Sequence, residues 1–493
     1  MDNRIFRCLL APLLLSVTAA GFTTGCATNP VTGTPDLVFM TEAREIQLGN
    51  QYDSKVRNQY GVYPDPELQA YVQGIGEKLA AQSHRSQLKY HFTVLDGPEV
   101  NAFALPGGYI YITRGILAYI NSEAELAAVL GHEIGHVTAR HGVRQHSAAT
   151  ATGVVGAILG AATGIQGTQD LFNVFGSAIL SGYGRDHELE SDRLGAEYLA
   201  RSGYDPQAMI GVIGILKNQE EFEKKRAAAE KRPARIYHGV FASHPSADKR
   251  LQEVVAEADK FKTLSAPRVS REEYLKRLDK LAYGDSASGG IRHGRMFYHR
   301  DLNLALAFPE GWHIENSPKA VGAWAPQKEA ILVMEKRSLP ADSATPVDSF
   351  LKSQVKLSAN FNGKPVPDMN LPSVTGTDRI SGPFGNRETR VSAVHYGPNA
   401  FFFFGAAKDN SAFARFDPHF LATAASLRTL KPAEKILAEG QRVHLVRARP
   451  GDTFAGLAKA SPLTEYGEST LRLINDKFPD GEPVAGDFIK IIK

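Results

Sequence analysis

The chain reads as an α+β protein: a mainly helical domain with a small edge-exposed sheet, then a mixed α+β domain, then a small βααβ module. Two kinds of apolar pattern carry this reading. Residues recur at helical spacing as Leu68, Tyr71, Val72, Ile75 and Leu79, and again as Leu126, Val129, Leu130, Ile134 and Val137. Short apolar runs over Tyr90 to Leu95 and Tyr109 to Ile112 read as strands between those helices. At 493 residues the chain exceeds one hydrophobic core, so two to four domains are expected. A hydrophobic fraction of 43% and a charged fraction of 22% are ordinary for globular protein, and a net charge of +3 gives no nucleic-acid signal.

Residues 1–25 read as a secretory signal. Arg4 and Arg7 make a basic start, and Cys8 to Ala20 is an apolar stretch too short to span a membrane. Thr23-Thr24-Gly25-Cys26 resembles a bacterial lipobox, in which the cysteine is lipidated and becomes the new N-terminus. Thr23 departs from the usual leucine, which leaves ordinary cleavage near Ala20 as the alternative. Ala27 after the cysteine implies sorting to the outer membrane, so the expected location is periplasmic, anchored through Cys26. Cys8 and Cys26 are the only cysteines, and acylation of Cys26 would leave no thiol in the mature chain. Residues 26–40, turn-rich over Thr28 to Gly33, suit a tether.

Thr41 caps a helix expected to Tyr52, and Asp65-Pro66 opens the next with a cap followed by proline in the first turn. The helix over Leu126 to Val137 carries His132-Glu133-Ile134-Gly135-His136, a His-Glu-x-x-His motif. Residues four apart lie about 40° apart on one helical face, so both imidazoles can address one ion. Zinc accepts neutral imidazole nitrogens, and Glu133 from the same turn can take a proton from a water in the open position. Downstream, Glu188-Leu189-Glu190-Ser191-Asp192 also reads as helix. Glu188 and Asp192 share a face, so Glu188 can be the third ligand and Asp192 can receive the ring N–H of a liganding histidine. Glu190 is the competing third ligand.

Asn101-Ala102-Phe103-Ala104-Leu105-Pro106-Gly107-Gly108-Tyr109-Ile110-Tyr111-Ile112, the His-Glu-x-x-His helix and Glu188 to Asp192 together resemble the HtpX, BepA and prenyl-protein endopeptidase family of zinc metallopeptidases, over roughly residues 30 to 260. The resemblance implies one zinc ion held by His132, His136 and Glu188, with Glu133 as general base. It also implies a histidine able to reach the active site from a position like that of His244, either in zinc's open position or as an oxyanion donor, with a surface or helix-capping histidine as the alternative. The strand at Ala102, Phe103 and Ala104 is expected to offer its edge to an extended substrate. Arg193, beside Asp192, is a candidate supporting residue near the oxyanion. His141 and His146 are expected to continue the zinc helix off the ligand face, at the periphery.

Ala148 to Ile165 is uncharged and Gly/Ala-rich; a helical cover over the cleft or simple core packing is expected, and not a membrane span. Glu220 to Arg235 reads as a solvated charged face. Residues 41–265 form the expected metallopeptidase domain and 266–294 a helix and linker. Residues 295–432 form a mixed domain in which Leu302 to Phe308, Ala330 to Met334 and Ala400 to Gly405 are strands, with Trp312 and Trp324 as core residues. Residues 439–493 order as strand, helix, helix, strand and resemble a LysM module, a fold that binds peptidoglycan or chitin; a module folding independently of the peptidase is expected, with a docking domain that has lost glycan binding as the alternative. The expected function is a zinc endopeptidase of the bacterial envelope acting on unfolded or misassembled envelope proteins. The competing classes are a zinc-containing chaperone or outer-membrane assembly factor with little turnover, and a cell-wall binding protein.

Overall fold

A computed structural model describes residues 26–38, 40–148, 184–230, 255–261 apart from 257, 266–317, 320–340, 345–463 and 465–493. The leader, the expected cover beyond Ala148 and His244 lie outside the described residues. The chain divides into two compact units: residues up to 57 with 62–281 and 443–493, and residues 58–61 with 282–442.

In the first unit, β1 (Cys26–Thr28) pairs antiparallel with β2 (Pro35–Leu37). The expected tether is therefore partly a hairpin. The Asn29 side chain accepts from the backbone N–H groups of Val31 and Thr32 and closes its turn. Behind it, Val38 and Met40 bury against Val143. Helix α1 (Glu42–Tyr60) runs about two turns beyond the expected Tyr52. Helix α2 (Pro66–Ala80) begins as predicted, with Asp65 accepting from Leu68 N. Strand β5 (Tyr109–Thr113) lies between β3 (His91–Leu95), to which it is parallel, and β4 (Ala102–Leu105), to which it is antiparallel. Thus β4 is an edge strand. The turn between β4 and β5 needs Gly107 and Gly108, both at positive φ, where an added Cβ would meet Ile46 Cα and Lys89 O at 2.7 and 2.6 Å.

The short α3 (Arg114–Tyr119) leads into α4 (Glu123–Thr138), which carries the His-Glu-x-x-His motif. Ser122 caps α4, and fifteen of its sixteen residues are buried, so this is a central helix and not an amphipathic surface one. Helices α5 (Arg185–Arg201) and α6 (Ala208–Ala229) pack on it. The charged end of α6 is laced by i,i+4 pairs such as Lys224–Glu220 and Arg226–Glu230, as a solvated face requires.

In the second unit a six-stranded antiparallel sheet runs in the order β10 (His313–Asn316), β11 (Ala320–Trp324), β12 (Ala330–Ser338), β15 (Asn399–Ala407), β14 (Gly385–Tyr396) and β13 (Ser373–Gly382). The four phenylalanines lie on the interior strand β15. Phe401 and Phe403 join the core containing Phe413, Phe416 and Phe420, whereas Phe402 joins the core containing Phe350 and Leu351. A strand buried on both faces has no polar alternation, which is why this run is continuous. Trp312 packs edge-on to Phe416 and Phe420, as a core residue, and the half-buried Trp324 donates its indole N–H to Glu315. The expected linker is ordered in part: β6 (Ala282–Tyr283) and β7 (Ile291–His293) fall in or beside it, and Arg292 pairs with Asp285.

The last segment has the expected order: β17 (Gln441–Arg447), α10 (Phe454–Lys459), α11 (Gly467–Ile474) and β18 (Phe488–Ile492), with β17 and β18 antiparallel. Residues 443–493 belong to the same compact unit as the helices around α4, the packing of a docked module. Lys490 is fully buried and donates its Nζ to Ala118 O at 2.7 Å and Ile120 O at 2.8 Å, at the end of α3. Phe222 of α6 meets Tyr466 and Phe478 edge-on. A truncation removing residues 439–493 should therefore melt well below the intact chain and lose zinc uptake. Unchanged melting and metal content in the truncated protein would make the module an appendage.

Candidate metal centre

The ligand-bearing helices meet through glycines. A Cβ on Gly135 would lie 2.9 Å from Ser191 Cα and O, and one on Gly195 would lie 2.9 Å from His132 N. The backbones of α4 and α5 are therefore almost in contact, and this closeness brings short carboxylate side chains within reach of the histidines. His132, His136 and Glu188 are all buried, and each offers a ligand atom within 4.8 Å of the other two. His132 Nε2 lies 2.9 Å from His136 Nε2 and 3.4 Å from Glu188 Oε2, and Glu188 Oε1 lies 3.8 Å from His136 Nε2. Tetrahedral zinc with bonds of about 2.0–2.2 Å sets its ligand atoms roughly 3.3 Å apart.

Two further observations fit a cation. Among the described residues, Glu188 Oε2 and Glu133 Oε1 are buried without a hydrogen-bond partner, a costly state for carboxylate oxygens unless a positive charge is close. Burial opposes charge on His132, yet the bond to Asp192 and the nearby Glu188 carboxylate hold its imidazolium up at about 10. Burial and the neighbouring charges of His132, His141 and His187 press His136 well below the usual range. The cluster thus attracts one positive charge between two imidazoles, the role a metal ion would fill. Burial pushes Glu133 up to about 8, with His132 opposing and Glu188 adding to the rise. A nearby cation would favour its ionised form and so its service as a base.

Asp192 stands where its spacing predicted, its Oδ1 2.8 Å from His132 Nδ1. Glu190 is not in the ligand group: its Oε2 lies 3.1 Å from both His141 Nε2 and Arg144 Nη1, and the bond to His141 helps hold it down at about 2. Arg193 is half-buried on α5, and its charge acts on His84; among the described residues no contact ties it to the ligand cluster. Ala102, Phe103 and Ala104 lie on the edge strand, and Ala104 and Leu105 line a small cavity together with His136 and Val137.

His141 corrects the expectation of a peripheral residue. Helix α4 ends at Thr138, and Arg140 adopts a left-handed conformation at φ 56°, so residues 141–148 start a new helical segment in a new direction. His141 turns back to place its Nδ1 2.9 Å from His136 Nδ1 and stacks on His187 with ring centroids 4.3 Å apart. The reversal is held by Glu45, a buried carboxylate that accepts from Arg140 Nε at 3.0 Å and Arg85 Nη1 at 2.9 Å. Arg85 also donates to Val137 O. Sequence periodicity missed this cluster and the three contact glycines, Gly131, Gly135 and Gly195.

Two histidines and a glutamate with a second glutamate beside them are the donor set of the His-His-Glu zinc hydrolases. Residues 66–258 match the model of Peptidase family M48, and this similarity is confined to that part of the chain. Over 281 residues it is 29% identical to the "Beta-barrel assembly-enhancing protease" of Escherichia coli (strain K12), covering 54% of each chain. It is 30% identical over 256 residues to the protein of that name from Yersinia pestis, covering 50% of each. It is also 30% identical over 214 residues to the "Mitochondrial metalloendopeptidase OMA1" of Schizosaccharomyces pombe, covering 43% of this chain and 60% of that one. The chain spans about half the length of the bacterial relatives it matches.

Gly135→Ala tests the helix contact. Overpacking of this kind costs about 1–3 kcal/mol. The variant should melt at a lower temperature and hold zinc more weakly; a wild-type melt and zinc content would show that α4 and α5 tolerate separation.

Proposed function

We propose that the chain is a zinc-dependent endopeptidase of the bacterial cell envelope that cleaves misfolded or stalled envelope proteins. The observation that carries this reading is the buried His132–His136–Glu188 group with Glu133 Oε1 unpartnered beside it among the described residues. His132, His136 and Glu188 would hold the metal. A zinc ion bound there supplies Lewis acidity, lowering the pKa of a water from about 15.7 toward about 7 and polarising a peptide carbonyl. Glu133 takes the proton of the attacking water and passes it to the leaving amine nitrogen. Asp192 keeps the His132 ring oriented. His244, which lies outside the described residues, would serve as a resting occupant of the open position or as an oxyanion donor.

The substrate enters along β4. Thr113 N donates to Asn101 O at 3.0 Å, so by antiparallel alternation Phe103 exchanges bonds with Tyr111, while the main-chain groups of Ala102 and Ala104 aim away from β5. An extended chain pairing there binds through its backbone, with little sequence preference. That suits unfolded strands, and the relatives' names join proteolysis to β-barrel assembly, which supports outer-membrane precursors as the substrate class. A role as an assembly factor with little turnover is the second reading on the same ground. Lipidation at Cys26 would anchor the protein to the outer membrane, and no described helix is long and apolar enough to cross a membrane. The βααβ segment would add contact with peptidoglycan if its LysM-like form carries binding.

Glu133→Gln should keep zinc and lose casein cleavage by about 100-fold or more, because an amide cannot accept the proton. Glu188→Ala should lose the metal as well; full zinc occupancy in that variant would move the ligand role elsewhere. Ala104→Pro removes one outward N–H on the edge strand, where proline is tolerated. It should raise KM for unfolded substrates severalfold with zinc content unchanged, and an unaltered KM would remove β4 from substrate binding.

A further inference from the structure

We infer that His141 is a positioning residue for the metal centre: together with Glu190 it sets the tautomer of His136, so that Nε2 faces the metal. The inference rests on the reading of His132, His136 and Glu188 as ligands. Arg144 can only donate, and its Nη1 lies 3.1 Å from Glu190 Oε2. That oxygen is therefore an acceptor. It lies 3.1 Å from His141 Nε2 as well, so this nitrogen carries the proton.

A neutral imidazole has one N–H and one lone pair. His141 Nδ1 thus presents its lone pair, 2.9 Å from His136 Nδ1 and 3.4 Å from the Ser191 hydroxyl, both of which can donate to it. His136 Nδ1 is then the protonated atom, and the lone pair of its Nε2 points toward His132 Nε2 and Glu188. The stacked His187 ring holds the plane of His141. For His132 the same outcome takes one step, since Asp192 accepts directly from Nδ1. The two histidine ligands reach the same tautomer by unequal routes: a carboxylate for one, and a carboxylate relayed through a second imidazole for the other. The relay spans a gap that Glu190 does not close by itself, and it leaves the negative charge one ring further from the metal.

The test compares His141→Phe, which keeps a ring but offers no acceptor, with His141→Gln, whose carbonyl oxygen can accept from His136. Zinc affinity is measured on the full chain by chelator competition, with thermal melting of the metal-free forms alongside. Loss of such an outer hydrogen-bond partner typically weakens metal binding by about 10–100-fold. That loss is expected for His141→Phe with the metal-free melt unchanged, and His141→Gln should recover most of it. Wild-type affinity in His141→Phe would overturn the inference, and so would an equal loss in both variants, which would mean packing rather than acceptance. Spectra of the zinc-loaded wild-type chain with isotope-labelled histidine need no variant. They should show the His136 proton on Nδ1; metal bound through Nδ1 would overturn the inference. A wild-type chain that takes up no zinc would instead bring down the metal-centre reading, and this inference with it.

Discussion

The closeness of two helix backbones governs the rest of the catalytic unit. Where α4 crosses α5, a Cβ on Gly131 would meet the Leu199 side chain, one on Gly135 the backbone of Ser191, and one on Gly195 the backbone of His132. Asp192 and Glu188 have short side chains, and they reach His132 only because the main chains are this near. Close packing in an interior transmits a displacement of a few tenths of an ångström instead of absorbing it. One methyl group at this crossing would therefore act on three ligand directions at once, although it would touch no ligand side chain's polar atoms.

Burial then decides the chemistry. Helix α4 is enclosed on all sides, so a carboxylate such as Glu133 has no water to stabilise its charge and sits high until a cation arrives. The same enclosure makes the hydrogen-bond partners of each imidazole count for more than they would at a surface. Charge in the centre is shared among groups that cannot ionise independently. A metal held there, Glu133 and the supporting carboxylates would form one electrostatic unit.

The chemistry-bearing residues were legible because both pairs, His132 with His136 and Glu188 with Asp192, obey helical spacing, and a helix turns this spacing into a shared face. The strand at Ala102 to Ala104 was legible as a local run of small and apolar residues between turns, whereas its edge position follows from pairing with β5 alone within the sheet. His141 was not legible. Its position follows from Arg140, whose backbone leaves the helical region because Glu45, nearly a hundred residues away, holds its guanidinium. Periodicity carries no information about such a long-range ion pair. The glycines could have been noticed, since two of them lie four residues apart within the motif helix, where glycine is otherwise unfavourable. The role of Lys490 was hidden differently. It stands among Phe488, Ile489, Ile491 and Ile492, where a lone lysine reads as the solvent face of a strand, and only the carbonyls of Ala118 and Ile120 show that it points inward.

That buried lysine also has a consequence in time. It bonds to carbonyls 370 and 372 residues earlier in the chain, across the whole of the second unit. At roughly 5–20 residues per second, synthesis takes about 20 to 75 s to supply this partner after the residues that need it. Through that interval the loop leading into the zinc helix lacks its amine, and the surface that will receive β18 and α11 stays uncovered. A nascent chain that has made all of its candidate ligands therefore still lacks part of the packing of their unit. Packing of this unit waits on β18, and until it arrives the carbonyls of Ala118 and Ile120 lack this donor.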